Sequence, residues 1–301
     1  DVDVVAASDH LRSTNNATSI TKLALNTVAK KMGQQDFSHE VYEAMAGCLA
    51  CKSCAGQCPV KVNVPEFRSR FLELYHSRYL RPLKDYLIGS LEFTIPYLAR
   101  VPRLYNFVMG VGPVRFILEH VAGMVDSPLL SMTDFDAVCR RWGVEIATPE
   151  LLSALGDQQR ARSVILVQDA FTRYFETPVL SDWIELISRL GYQVYIAPFA
   201  PNGKPLQVQG FIKAFEKVAN FNSEALRQLQ RYEIPLVGLD PAMTLVYRQE
   251  YAKTLSSEKV PTVLLPQEWL AGALPQAQSV KDAAAYYFLP HCTEKTNEPS
   301  S

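Results

Sequence analysis

The sequence predicts a mixed chain of 301 residues: a helical N-terminal part built around a cysteine loop, then an α/β part with a parallel sheet. Three observations predict it. Four cysteines, Cys48, Cys51, Cys54 and Cys58, crowd into the run GCLACKSCAGQCP. Pro82, Pro96, Pro102 and Pro113 break the stretch that follows into short helices. From about Arg160 onward, short apolar runs such as Val164-Ile165-Leu166-Val167 alternate with helical patterns, as strands do when helices form their crossovers.

Taken in order, residues 1–36 are polar, with one helical stretch around Ile20–Met32. Val41–Met45 reads as a short helix entering the cysteine loop. Val64-Pro65-Glu66 opens the next helix, because proline suits a first helical turn. Phe67, Phe71, Leu72, Leu74 and Tyr75 then recur with a period near 3.6. Ser127–Asp157 reads as a connector, with Pro128, Pro149 and Gly156 as breakers. Strands are expected at Val164–Val167, Tyr195-Ile196, Pro235–Leu239, Val263–Leu265 and Tyr286–Leu289. Helices are expected from a Ser181-Asp182 cap to Leu190, along the Ile212, Phe215 and Val218 face, over Ala225–Tyr232, and from Asp240-Pro241 to about Thr254. The implied domains are 1–80, a helical domain holding the cysteines; 81–157, a helical connector; and 158–301, the α/β domain. Ile165–Val167 followed by Gln168-Asp169-Ala170 parallels Tyr287–Leu289 followed by Pro290-His291-Cys292, so a second α/β repeat is expected to begin near 285–301.

Composition narrows the function classes. Hydrophobic residues make up 48% of the chain, enough for a sizeable core. Thirty basic residues face 31 acidic ones and no basic stripe stands out, which argues against nucleic acid. No run of eighteen apolar residues exists, so no membrane span is expected. Glu92, Arg100, Arg103, Arg115 and Glu119 interrupt the most apolar stretch, 86–125, which suits helices packed on a partner domain, with peripheral membrane contact as the alternative. Six cysteines, four of them in one motif, point to a reducing compartment, the cytoplasm. The first residues lack the apolar core of a secretion signal, so Asn16-Ala17-Thr18 is not expected to be glycosylated. The chain starts at Asp1 and stops at Ser301, and reads as a piece of a longer polypeptide.

The cysteine run has the form C-x2-C-x2-C-x3-C-P, the bacterial-ferredoxin spacing for a [4Fe–4S] cluster. Three thiolates within seven residues can wrap one cubane if the backbone turns tightly, and Pro59 sends the chain away afterwards. Structural zinc usually draws two C-x2-C knuckles from separate parts of a fold, and such close spacings make strained disulfide loops. In two-cluster ferredoxins the fourth cysteine serves the other cluster. Only one such run exists here, so Cys58 is expected to close its own cluster, with Cys139 the other candidate. His291-Cys292 reads as a ligand pair of the second repeat or a plain strand-end thiol. His10, His39, His76 and His120 match no ligand spacing, and Gly110-Val111-Gly112 lacks the third glycine of a dinucleotide fingerprint.

The stretches GCLACKSCAGQCP, QDAFTRYFETPVLSDWIELISRLGYQVYIAPFAPNGKPLQVQGF, LVGLDPAMTLVYRQEY and FLPHCTEKTNEPSS together resemble the C-terminal part of bacterial FAD/iron–sulfur 2-hydroxyacid dehydrogenases, over nearly the whole chain. The narrowest likeness is to the very large members that act on D-2-hydroxyglutarate, with glycolate, D-lactate or glycerol 3-phosphate as alternatives. The resemblance implies an all-α ferredoxin-like domain with a [4Fe–4S] cluster on Cys48, Cys51, Cys54 and Cys58. It implies an FAD domain on the same polypeptide, outside these residues, as the partner that passes electrons in, and an acceptor of unknown identity. The fragment alone is expected to be inactive. A scaffold with a structural cluster is the reading from another class. The α/β half resembles the cysteine-rich CCG module of heterodisulfide-reductase-like subunits, in degenerate form. Ala170, Asn202 and Met243 fall where that resemblance would put cysteine ligands, so the first repeat is expected to bind no metal.

Overall fold

Helices and a small parallel sheet make up a computed structural model that describes residues 19–34, 36–48, 50–59, 62–274 and Tyr287. Its residues fall into two units by their contacts. One comprises the described residues of Asp1–Leu91, Phe116–Val125 and Gly203–Phe215; the other comprises those of Glu92–Arg115, Asp126–Asn202 and Glu216–Ser301.

The first unit contains the helices Ile20–Lys31, Phe37–Ala46, Val64–Tyr75 and Leu83–Gly89, and the cysteine loop between the second and third of these holds a five-residue helix of its own, Ser53–Gln57. Local chemistry sets their starts. The Asp36 side chain accepts from Ser38 N and caps Phe37–Ala46. Asn63 caps Val64–Tyr75 through Glu66 N at 3.2 Å, with Pro65 in the first turn where no hydrogen bond is lost. Phe71, Leu72 and Tyr75 are buried as the periodicity predicts, and Val41 and Tyr79 join Phe71 and Tyr75 in one cluster. Phe67 is exposed, so the apolar stripe is narrower than the sequence suggests. Gly210, with φ +72°, lies against the Val64–Tyr75 helix so closely that a Cβ there would sit 2.7 Å from Leu72 Cβ and 2.8 Å from the Ser69 carbonyl. Only glycine combines that left-handed backbone with that approach.

The second unit carries the sheet. Its strands are β1 (Glu145–Ile146), β2 (Ser163–Val167), β3 (Gln193–Ile196) and β4 (Leu236–Gly238), in the order β1-β3-β2-β4 and all parallel. Ile165 stands opposite both Tyr195 and Leu236. Every residue of β2 is buried, which explains its unbroken apolar run. The helix Thr177–Arg189 lays Leu180, Ile184 and Ile187 on the sheet, each fully buried and contributing on the order of 2 kcal/mol.

Several boundaries differ from the expectation. The helix expected to start at Ser181 begins one turn earlier, at Thr177, with Pro178 in its first turn; the Ser181 hydroxyl donates to the Thr177 carbonyl instead of capping. Ile212–Gln230 is one 19-residue helix where two were expected. Val263–Leu265 reduces to a bridge between Leu264 and Val237. β1 lies in the expected connector; two exposed residues leave no apolar run to read. Asp240 caps the Pro241–Thr254 helix as expected. The strand expected at Tyr286–Leu289 lies, Tyr287 apart, outside the described residues. Among the described residues no helix is long and apolar enough to cross a membrane.

Candidate metal centre

The Phe37–Ala46 helix ends at Gly47, and the Cys48 N–H still reaches the Met45 carbonyl at 3.2 Å. Cys48 therefore hangs on a helix terminus. That terminus is held by Arg68, whose Nε donates to the Met45 carbonyl at 3.1 Å and whose Nη1 donates to the Val208 carbonyl at 2.5 Å. Two residues of the loop, Ala50 at φ 55° and Lys52 at φ 62°, adopt the left-handed backbone without being glycine. Each costs on the order of 1 kcal/mol, and such strain concentrates where a loop must present side chains in a fixed array. Here it turns the chain twice between Cys48 and Cys54.

Lys52 is left-handed and then caps the short helix Ser53–Gln57. Cys54 lies in that helix, exposed; Cys58 ends it, its N–H bonded to the Cys54 carbonyl at 3.0 Å. Cys48, Cys51 and Cys58 are half-buried. Cys51 Sγ lies 3.6 Å from Ser53 Oγ. The Ser53 backbone N–H, and then its hydroxyl, hold the Cys51 thiol below its ordinary pKa. A thiol biased toward thiolate is primed for a soft metal ion.

Lys52 is buried within the loop. It brings a basic residue into the cysteine loop, next to Cys51 in the chain. Sequence reading missed it, as it missed Ser53 and Arg68. The residue types were legible, but burial and backbone handedness were not.

The donor set fits an iron–sulfur cluster in chemistry: four soft thiols, a doubly turned loop and one thiol already biased toward its anion. Yet among the described residues no three His, Cys, Asp or Glu side chains converge closely enough to hold a metal ion. Cys139 sits in another setting. It lies on the helix Phe135–Trp142 and packs against the core of the α/β unit, and burial pushes its thiol above the ordinary value. That is the environment of a packed structural thiol.

The Phe37–Ala46 and Val64–Tyr75 helices share an aromatic cluster. Tyr42 stacks on Tyr75 at 4.5 Å, and Tyr75 meets Tyr79 at 4.7 Å. Two of the phenols are hydrogen-bonded: Lys30 Nζ donates to Tyr75 Oη at 2.8 Å, and Tyr79 Oη donates to Asp36 Oδ2 at 2.6 Å. Desolvation pushes the Tyr79 phenol up to about 12. Beside this cluster His76 is buried, with Nε2 3.6 Å from Asp85 Oδ2. Burial, then the Arg81 guanidinium, drives its pKa down to about 3, so the imidazole is neutral.

In the α/β unit Ala170, Asn202 and Met243 lie in the segments that follow β2, β3 and β4, and all are buried. Asn202 Nδ2 donates to the Met243 carbonyl at 3.0 Å, the Asn202 N–H donates to Glu92 Oε1 at 3.0 Å, and Tyr251 Oη donates to the Asn202 carbonyl at 2.9 Å. Next to Ala170, Asp169 accepts from Phe171 N, Thr172 N and the Thr172 hydroxyl, and burial raises its pKa to about 6. His291 and Cys292 lie outside the described residues.

Comparison with known proteins adds a finding of another kind. The chain is 62% identical over 276 residues to a D-2-hydroxyglutarate dehydrogenase of Pseudomonas putida, covering 92% of the chain and 27% of that protein. It is 45% identical over 271 residues to the Escherichia coli K12 protein of that name, covering 89% of the chain and 27% of that protein. Against the Haemophilus influenzae protein it is 39% identical over 294 residues, 94% of the chain and 29% of that protein. The chain thus spans little more than a quarter of the length of these relatives. No family model matches it. No solved structure matches it either.

Proposed function

We propose that this chain is the iron–sulfur electron-transfer part of a D-2-hydroxyglutarate dehydrogenase, with Cys48, Cys51, Cys54 and Cys58 as the ligands of one [4Fe–4S] cluster in a ferredoxin-like helical setting. The observation that carries the reading is the 62% identity to the Pseudomonas putida enzyme over nearly the whole chain, cysteine loop included. When bound, such a cluster supplies one-electron transfer at a potential set by charge and hydrogen bonding around its sulfurs. The chain's own residues do the rest. Ser53 stabilises the Cys51 thiolate, Arg68 fixes the helix end that presents Cys48, and the left-handed Ala50 and Lys52 wrap the loop. Lys52, buried next to Cys51 in the chain, supplies a basic residue to a loop that four thiolates would make strongly negative. Cys58 is the fourth ligand in this reading, because Cys139 is built into another core.

The relatives' length supports a division of labour. In this reading, oxidation of D-2-hydroxyglutarate to 2-oxoglutarate, with FAD, belongs to the part of the longer polypeptide outside this chain, and the cysteine usage supports the cytoplasm as the compartment. Anaerobic reconstitution tests the ligand assignment. About four irons and four sulfides per chain are expected; stoichiometric zinc without sulfide overturns it. The chain of 301 residues alone should oxidise no hydroxyacid, and turnover by it alone would overturn the division of labour.

A further inference from the structure

The helix Pro102–Gly110 is built inside out. Leu104, Phe107 and Val108 recur at i, i+3 and i+4, the spacing of a core-facing stripe. Yet Leu104 is 60% exposed, Phe107 71% and Val108 39%, and Val101 just before them is 51% exposed. Tyr105 and Asn106, half-buried, face the other way and are tied down, while Arg103 is exposed. Asn106 Nδ2 donates to the Leu130 carbonyl at 2.9 Å while Leu130 N donates back to Asn106 Oδ1 at 2.8 Å, and Tyr105 Oη donates to the Pro128 carbonyl at 3.3 Å. A doubly hydrogen-bonded asparagine fixes the rotation of the helix about its axis. The apolar stripe is therefore held outward by the fold.

We propose that this stripe, Val101, Leu104, Phe107 and Val108, is the seat of the remainder of a longer polypeptide. The inference rests on the functional reading above and names the surface through which it is realised. Length argues for this occupant: the match fills 27% of the Pseudomonas putida protein, so most of that protein lies outside it and offers a large surface on the same polypeptide to cover the stripe. Chemistry argues the same way. A large aromatic such as Phe107, flanked by branched aliphatics, is the composition of a protein interface centre. A helix lying on lipid sets a Lys- and Arg-rich face opposite its apolar one. Here the opposite face is Tyr105 and Asn106, already bonded to the chain's own backbone, and the single basic residue of the helix is Arg103.

Hydroxyl-radical labelling of the complete polypeptide tests this, with Phe215, 2% exposed, as the internal standard for a covered ring. Phe107 is expected to label within about two-fold of Phe215 at every protein concentration used, because its exposure is lost as in a domain interior. Labelling of Phe107 more than about two-fold above Phe215 overturns the proposal, because an uncovered ring reacts as its exposure dictates. Protection that appears only with phosphatidylglycerol vesicles overturns it in favour of lipid, and protection lost on dilution overturns it in favour of a second copy. D-2-hydroxyglutarate oxidation by the same sample separates the two claims. Activity with an open Phe107 sinks only the surface, whereas a covered Phe107 without activity sinks the functional reading.

Discussion

Cys51 and Lys52 sit side by side, and their environments make opposite contributions to the same loop. Ser53 biases Cys51 toward thiolate, and Lys52 is a buried basic residue next to it in the chain. Cys51→Ser should abolish the visible iron–sulfur absorbance, because a hydroxyl is a harder and far less acidic ligand than a thiol; a full complement of iron and sulfide in that variant contradicts the assignment. Lys52→Met should leave the iron content unchanged and lower the reduction potential by tens of millivolts, since a nearby positive charge favours the more negative, reduced state. An unchanged or higher potential removes Lys52 from the account. His76 gives a pH signature. Its folded pKa, about 3, lies below the ordinary histidine value of 6.5. The unfolded chain then binds the proton that the folded chain refuses. Stability from this group is fully present above pH 6.5 and is lost as pH falls toward 3, with a slope of up to about 1.4 kcal/mol per pH unit. Asp85, pushed up by burial, works in the opposite sense nearer its own range. Between pH 7 and pH 5 Asp169, whose pKa burial raises to about 6, adds a slope of the opposite sign, so the histidine is read as the difference between the wild-type and His76→Gln slopes in denaturant titrations. An equal slope in the variant means another group carries it.

Among the elements, the Val64–Tyr75 helix links the cysteine loop to the rest of its unit, and Gly210 is where the chain presses closest on it. Gly210→Ala combines a left-handed alanine with a methyl 2.7 Å from Leu72 Cβ, and should destabilise the unit by about 2–4 kcal/mol. The denaturation midpoint checks it, and a shift under half a kcal/mol means that this contact can relax freely. How legible each element was follows from its physics. Val64–Tyr75 announces itself through Asn63, Pro65 and a 3.6 period, and Pro241–Thr254 through Asp240 and Pro241. β2 was legible as an apolar run because both of its faces are covered. β1 was not, because two exposed residues carry no pattern, and the start at Thr177 was missed because Ser181 offered a better cap in sequence than the one the chain uses. The outward stripe of Pro102–Gly110 reads in sequence as an ordinary buried face. Only the bonds of Asn106 reveal which way it turns.

At the scale of the whole molecule, the spacing of the four cysteines is legible from residue types alone, whereas the burial of Lys52 and the left-handed backbone at Ala50 and Lys52 are not. The α/β unit has a parallel sheet, and Asn202 is hydrogen-bonded to Glu92 and Tyr251. The account makes this chain an electron relay within a longer polypeptide. Its most direct test is rapid mixing of that complete, anaerobic polypeptide with D-2-hydroxyglutarate while flavin and iron–sulfur absorbance are followed separately. The account predicts that the flavin bleaches first and the iron–sulfur band follows within the turnover time, and that Cys51→Ser keeps the first phase and loses the second. A flavin that bleaches and turns over while the iron–sulfur band stays oxidised would contradict the relay and leave the cysteine loop a structural role.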